Sequence, residues 1–185
     1  LGGWIVAQGN AEELKANPDS ITGRFLREPL RHPVQPRREV GRAAPALLRL
    51  DDAASSARPA PGKWSPREII GHLIDSAINN HQRFVRMSGR DDLVVEGYEQ
   101  DRWVAQQRYQ ESPWEELVVL WLTYNRHLAR VMTATPAADR ARSRPVHNLD
   151  ERAFRPVARD RAVTLDYFMH DYVDHLEHHL AQVLA

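Results

Sequence analysis

Two short stretches, Ser65-Pro66-Arg67-Glu68 and Ser112-Pro113-Trp114-Glu115, constrain the fold more than anything else in the chain. In each, a serine side chain can accept a bond from the backbone N–H three residues on. Proline takes the first helical position, where its missing N–H is no loss, and a glutamate can reach back to the serine's own N–H. Each signal launches a run of about 20 residues, near 30 Å of helix. The spacing predicts long helices near Ser65–Met87 and Pro113–Thr133. A third helix is expected from Thr164 to Leu184, where Leu165, Met169, Tyr172, Val173, Leu176, Leu180 and Val183 recur at helical spacing. Period-2 alternation is confined to "WIVAQG" and "DLVVEGY". The chain is therefore expected to be all-α.

The connections read less sharply. A short helix is expected around Asp101–Gln107, and a long crossover loop over Thr135–Val163, of a length that is usually functional or mobile. Before Lys63, "PALLRLDDAASSA" predicts one short helix starting at Pro45, and Arg31–Arg42 reads as a linker.

With 185 residues, one domain with a small appendage is the natural size. Lys+Arg 25 against Asp+Glu 25 gives no net field to draw nucleic acid or an acidic membrane. No apolar run approaches 18 residues and no leader pattern is visible, so the expectation is a cytoplasmic protein. The chain has no cysteine, so any metal must be held by imidazole and oxygen.

Near the end, "DYVDHLEHHLAQ" carries three of the nine histidines within five residues. On a helix, positions four apart lie about 40° from each other, so His175 and His179 share a face while His178 points away. That spacing lets an imidazole pair close on one cation, although a surface or packing role suits it as well. Two ligands are too few for a zinc-type catalytic site, which shows three and an open position. His72 is a candidate third, off the apolar stripe of Ile70, Ile74, Ala77 and Phe84, at the lip of a helix seam. His81 falls within that stripe and reads as a satisfied core histidine.

The stretch "GKWSPREIIGHLIDSAINNHQRFVRM", with "YEQDRWV" and "DYVDHLEHHLAQ", resembles the DinB/YfiT-like family of metalloenzymes over roughly Ala43–Ala185. The resemblance implies a four-helix bundle of up-down-down-up arrangement. It also implies a metal bound by three histidines, one from the second helix and two from the fourth. The matching positions are His72, His175 and His179, with zinc or nickel as the divalent cation and His178 as a bystander. Members include transferases that use bacillithiol, mycothiol or glutathione, and a mycothiol-dependent maleylpyruvate isomerase. The resemblance thus implies a low-molecular-weight thiol acidified by the metal, and a small-molecule substrate. Tyr172 and Trp103 are candidates for the wall of the cofactor pocket, or for plain packing. Asp75, one turn beyond His72, could orient an imidazole, or could be a solvated surface carboxylate. Because imidazole must be neutral to bind, metal affinity is expected to fall as pH drops through roughly 6.5.

The first 30 residues, "LGGWIVAQGNAEELKANPDSITGRFLREPL", resemble instead the carboxy-terminal end of the UvrA excision-repair ATPase. No phosphate loop or cysteine pair accompanies them, so no ATPase is expected. The chain would then comprise a UvrA-like appendage and linker over residues 1–38 and the bundle over 43–185. The appendage should form a short strand, a turn and one or two helical turns, with Trp4, Ile5, Val6, Phe25 and Leu26 packed on the bundle or a partner. Besides a metal-dependent enzyme, two readings stay open. One is a non-catalytic, stress-associated metal-binding bundle and the other a DNA-repair accessory module, although neither nucleic acid nor membrane is an expected partner. A homodimer is compatible with the sequence.

Overall fold

The structure, a computed structural model, describes residues 9–20 and 40–184. Nine α-helices lie within the described residues: α1 (Ala11–Ala16), α2 (Val40–Leu47), α3 (Asp52–Ser56), α4 (Pro66–Met87), α5 (Gln100–Gln107), α6 (Trp114–Ala134), α7 (Ala137–Ala141), α8 (Leu149–Arg152) and α9 (Leu165–Leu184). Helices α2, α4, α6 and α9 form a four-helix bundle: α4 packs on α6 and α9, and α2 on α6 and α9.

The first start signal works as written. Glu68 N–H donates to Ser65 Oγ at 3.3 Å, Ser65 N–H donates to Glu68 Oε2 at 2.9 Å, and Pro66 opens α4. The second does not. Pro113 keeps an extended backbone (φ −59°, ψ 127°), so α6 starts one residue later and Ser112 caps nothing. A 3₁₀ turn over Tyr109–Glu111 engages the Ser112 N–H instead, which donates to Tyr109 O at 3.1 Å. Helix α9 begins at Leu165, and Thr164 Oγ1 accepts from Tyr167 N–H at 3.0 Å.

The apolar faces meet in one core. Ile70, Leu73, Ile74, Ala77 and Phe84 of α4 pack with Trp121 and Leu128 of α6, Phe168, Tyr172 and Leu176 of α9, and Leu47 of α2. The expected helix from Pro45 starts earlier, at Val40, with Pro45 exposed inside it. A separate helix, α3, follows it. Arg67, buried, ties α3 to α4 and the 3₁₀ turn through Asp52, Ser55 Oγ at 3.2 Å and Gln110 O at 3.2 Å.

The long connections are more structured than a loop reading implies. The crossover carries α7 and α8; one isolated bridge, Leu93 with His147, joins it to the preceding connection, and another, Arg144 with Val163, joins two of its own residues. "DLVVEGY" is therefore not a strand. In the amino-terminal segment, Asn10 and Glu13 form a capping box on α1. Trp4, Ile5, Val6, Phe25 and Leu26, with the strand expected there, lie outside the described residues.

Candidate metal centre

Helices α4 and α9 bring three imidazoles together from positions 103 and more residues apart. His175 and His179, on one face of α9, have ring centroids 4.7 Å apart. The His72 ring of α4 lies 5.2 Å from His175 and 4.9 Å from His179. Nε2 of His72 and Nε2 of His175 are 3.2 Å apart. One ligand atom from each of the three falls within 4.8 Å of the others. Three nitrogens at zinc-bond length around a tetrahedral ion sit about 3.3 Å from one another. The His72–His175 pair is already near that spacing, and His179 needs a modest side-chain movement to join it.

The charge environment suits ligation. Burial pushes the His72 pKa down to about 4, with the His179 charge adding to the effect. His175 is pushed down to about 3, by burial first and then by His179, His72 and His178. His179 is lowered too, chiefly by burial. All three are thus neutral near pH 7, the form that coordinates a cation. The sequence set proton competition near 6.5. Burial, which sequence spacing does not reveal, carries it lower for His72 and His175.

Their surroundings differ from the sequence expectation in several places. His72 is buried, not at the lip of a seam: Trp64 packs on it at 5.0 Å and the two α9 histidines cover it. Asp75 orients no imidazole and is not a solvated carboxylate either. It is fully buried, and its Oδ1 accepts from Gln107 Nε2 at 2.7 Å and Tyr109 Oη at 2.8 Å. Burial raises the Asp75 pKa, and His72 Nδ1 is left buried with no hydrogen-bond partner. The orienting partner that sequence reading missed is Gln182, whose Oε1 lies 3.0 Å from His179 Nδ1. The same amide donates to His178 Nε2 at 3.0 Å, so His178, exposed and outside the group of three, still touches it. The advance signals for Gln182 were its place one turn after His179 and its position at the end of the H-x-x-x-H-L-x-Q pattern that carries the family resemblance. His81 is half-buried, with Nδ1 2.9 Å from Tyr124 Oη.

A cavity of about 240 Å³ opens beside the histidines, with His72, His175 and Tyr172 among its lining. Tyr172 is buried, and its hydroxyl donates to Asn125 Oδ1. Trp103 is not in the lining. Its ring packs at 5.0 Å on Tyr98, which takes the wall position instead. Phe154, from the crossover, stands 5.6 Å from His175 and 5.2 Å from His178. Asp171 fixes that segment by accepting from Phe154 N–H at 2.9 Å and Arg155 N–H at 2.7 Å.

The residues fit a divalent cation on their own chemistry. Three neutral imidazoles converge, and a hydrogen bond between His72 and His175 uses one proton and leaves His179 unserved by either. Among the described residues, no fourth His, Cys, Asp or Glu joins the group.

The chain matches the DinB superfamily across residues 35–183. It belongs to the DinB superfamily. A solved relative in fold is YfiT from Bacillus subtilis, described as "a probable metal-dependent hydrolase with an unusual four-helix bundle topology". The two superpose with a TM-score of 0.58 at 18% identity, covering 84% of this chain and 90% of that chain. At that identity the likeness shows the fold alone. No curated protein sequence matches the chain. Among the described residues of this DinB-superfamily chain, no helix is long and apolar enough to cross a membrane.

Proposed function

We infer that this DinB-superfamily chain is a metal-dependent enzyme acting on a small molecule, with His72, His175 and His179 as ligands of one zinc or nickel ion. The observation that carries the reading is the absence of a fourth ligating side chain, among the described residues, beside a cavity that His72 and His175 themselves line. A purely structural site closes its coordination with four protein ligands, whereas a catalytic site keeps one position for water or substrate. The bound cation supplies Lewis acidity and a lowered pKa for a water or thiol held in that position. The chain's own part is to keep the imidazoles neutral by burial, to orient His179 through Gln182, and to shelter the site with Trp64 and Phe154. YfiT, which shares the fold, is described as a probable metal-dependent hydrolase, and a hydrolytic reaction is one reading of the site. The family resemblance supports transfer of a low-molecular-weight thiol, and both use the same open position.

Metal analysis of the purified protein tests the ligand set. Wild type and His178→Ala should hold about one equivalent, while His175→Ala and His179→Ala should hold little. Equal retention by all four proteins sinks the assignment. Cobalt substitution then separates the chemistries: a thiolate-to-cobalt absorption band on adding a thiol supports transfer, and its absence leaves hydrolysis.

A further inference from the structure

The cavity beside the histidines has a second chemical character at its far wall. Arg83 stands eleven residues after His72 on α4, three helical turns on and hence on the same face. Its guanidinium is fixed by neutral acceptors: Nε reaches Glu96 O at 3.2 Å, Nη2 reaches Glu96 O at 2.5 Å, and Nη1 reaches Asn80 Oδ1 at 3.3 Å. No carboxylate is among these partners. Arg152, from the end of α8, lines the same cavity. Its guanidinium lies on the backbone of Gly97, so close that a Cβ there would stand 2.3 Å from Arg152 Nη1.

Two carboxylates also line the space, but both are engaged. Asp171 binds two backbone N–H groups of the crossover. Glu151 pairs with Arg159 and stands only at the margin of Arg152, 3.9 Å away with both side chains exposed. Two positive groups therefore face a shared space, one of them pinned by neutral partners. Guanidinium recognises carboxylate with paired, charge-assisted bonds. A volume of about 240 Å³ lies below the range that holds drug-sized ligands and suits a metabolite-sized one.

We propose that this cavity binds a small organic anion, its carboxylate seated on Arg83 and Arg152 and its reacting end toward His72 and His175. The assignment of the reacting end rests on the reading of the histidines as the metal centre, whereas the anion seat stands on the arginines alone. Burial lowers the Arg83 pKa, Tyr98 opposes the shift and the Arg152 charge adds to it, so a bound anion would favour the charged guanidinium. Gly97 gains a role: it leaves room for the Arg152 guanidinium against its backbone.

The test compares 3-mercaptopropionate with its uncharged methyl ester, by saturation-transfer NMR titration of the whole protein, both metal-loaded and chelator-stripped. The acid should bind about tenfold more tightly than the ester, the scale of one charged hydrogen-bonded contact. Arg83→Gln and Arg152→Gln should each bring that ratio close to one while leaving ester binding unchanged. Gly97→Ala should act like Arg152→Gln with an unaltered melting curve, because the three atoms nearest an added Cβ all belong to the far end of the long Arg152 side chain. Stripping the metal should weaken acid and ester alike and keep their ratio. A ratio near one in the wild type, or one that survives both arginine substitutions, overturns the proposal. If stripping changes neither probe while the arginine-dependent ratio stands, the metal reading fails and the anion seat remains.

Discussion

Gln182 connects two histidines of different standing, through a contact of its Oε1 with His179 Nδ1 and a bond donated to His178 Nε2. Its oxygen can only accept, so it holds His179 as the Nδ1–H tautomer and leaves Nε2 free for a cation. Gln182→Ala should weaken zinc affinity about tenfold, the low end for such partners because the contact is exposed. Competition with a chromophoric chelator measures it, and an unchanged affinity would mean the bond is incidental. The histidine pKa values make a second prediction at this scale. His72 at about 4 and His175 at about 3 bind fewer protons when folded than an unfolded histidine does at 6.5. The stability of the metal-free protein is therefore complete above 6.5 and declines as pH falls from there toward 4. Buried His72 alone accounts for a decline on the order of 3 kcal/mol. Melting curves of chelator-stripped protein should show it, with a shallower decline in His72→Ala. A flat profile between pH 6.5 and 4 would contradict the burial of neutral imidazole.

At the scale of elements, the contact between α4 and the 3₁₀ turn decides how firmly His72 is placed. The Tyr109 ring lies on α4 at Gly71, where an added Cβ would stand 2.1 Å from it. One turn on, the Tyr109 hydroxyl reaches buried Asp75. Gly71→Ala should destabilise by about 1–3 kcal/mol, since the ring is buried and backed by the core. Chemical denaturation reads this directly, and a neutral result would show that the turn yields without strain. The helix starts show how far local rules reach. The Ser65 signal formed although Arg58 also binds Glu68 and the Ser65 hydroxyl donates to Gln110, because both partners leave the two capping bonds in place. The matching Ser112 signal failed because the 3₁₀ turn just before it engaged Ser112 and held Pro113 extended. Both read alike in sequence, and only the packing of the preceding segment separates them.

For the whole molecule, a cation held by α4 and α9 would clamp two helices whose ligands lie 103 and 107 positions apart in the chain (175 − 72 and 179 − 72). Zinc at a hundredfold excess over its dissociation constant should stabilise the fold by about 2.7 kcal/mol, as binding to the folded state alone requires. That corresponds to a rise of roughly 5–10 °C in melting temperature for a domain of this size. Scanning fluorimetry with and without zinc should show the rise in wild type and lose it in His175→Ala. Equal shifts in both proteins would place the bound zinc elsewhere.

What the sequence determined by itself was local and periodic. Serine and proline punctuation and apolar spacing gave the long helices, and the i,i+4 spacing put His175 and His179 on one face while turning His178 away. Such properties depend on residues a few positions apart, whose geometry the helix fixes. The tertiary structure alone decided what depends on distant segments. It buried His72 beneath Trp64, moved Asp75 to Tyr109 and Gln107, replaced Trp103 by Tyr98 in the cavity wall, and brought Arg83 and Arg152 to the lining of one cavity. Burial and long-range electrostatics arise only when helices far apart in the chain pack against one another, so no local pattern announces them.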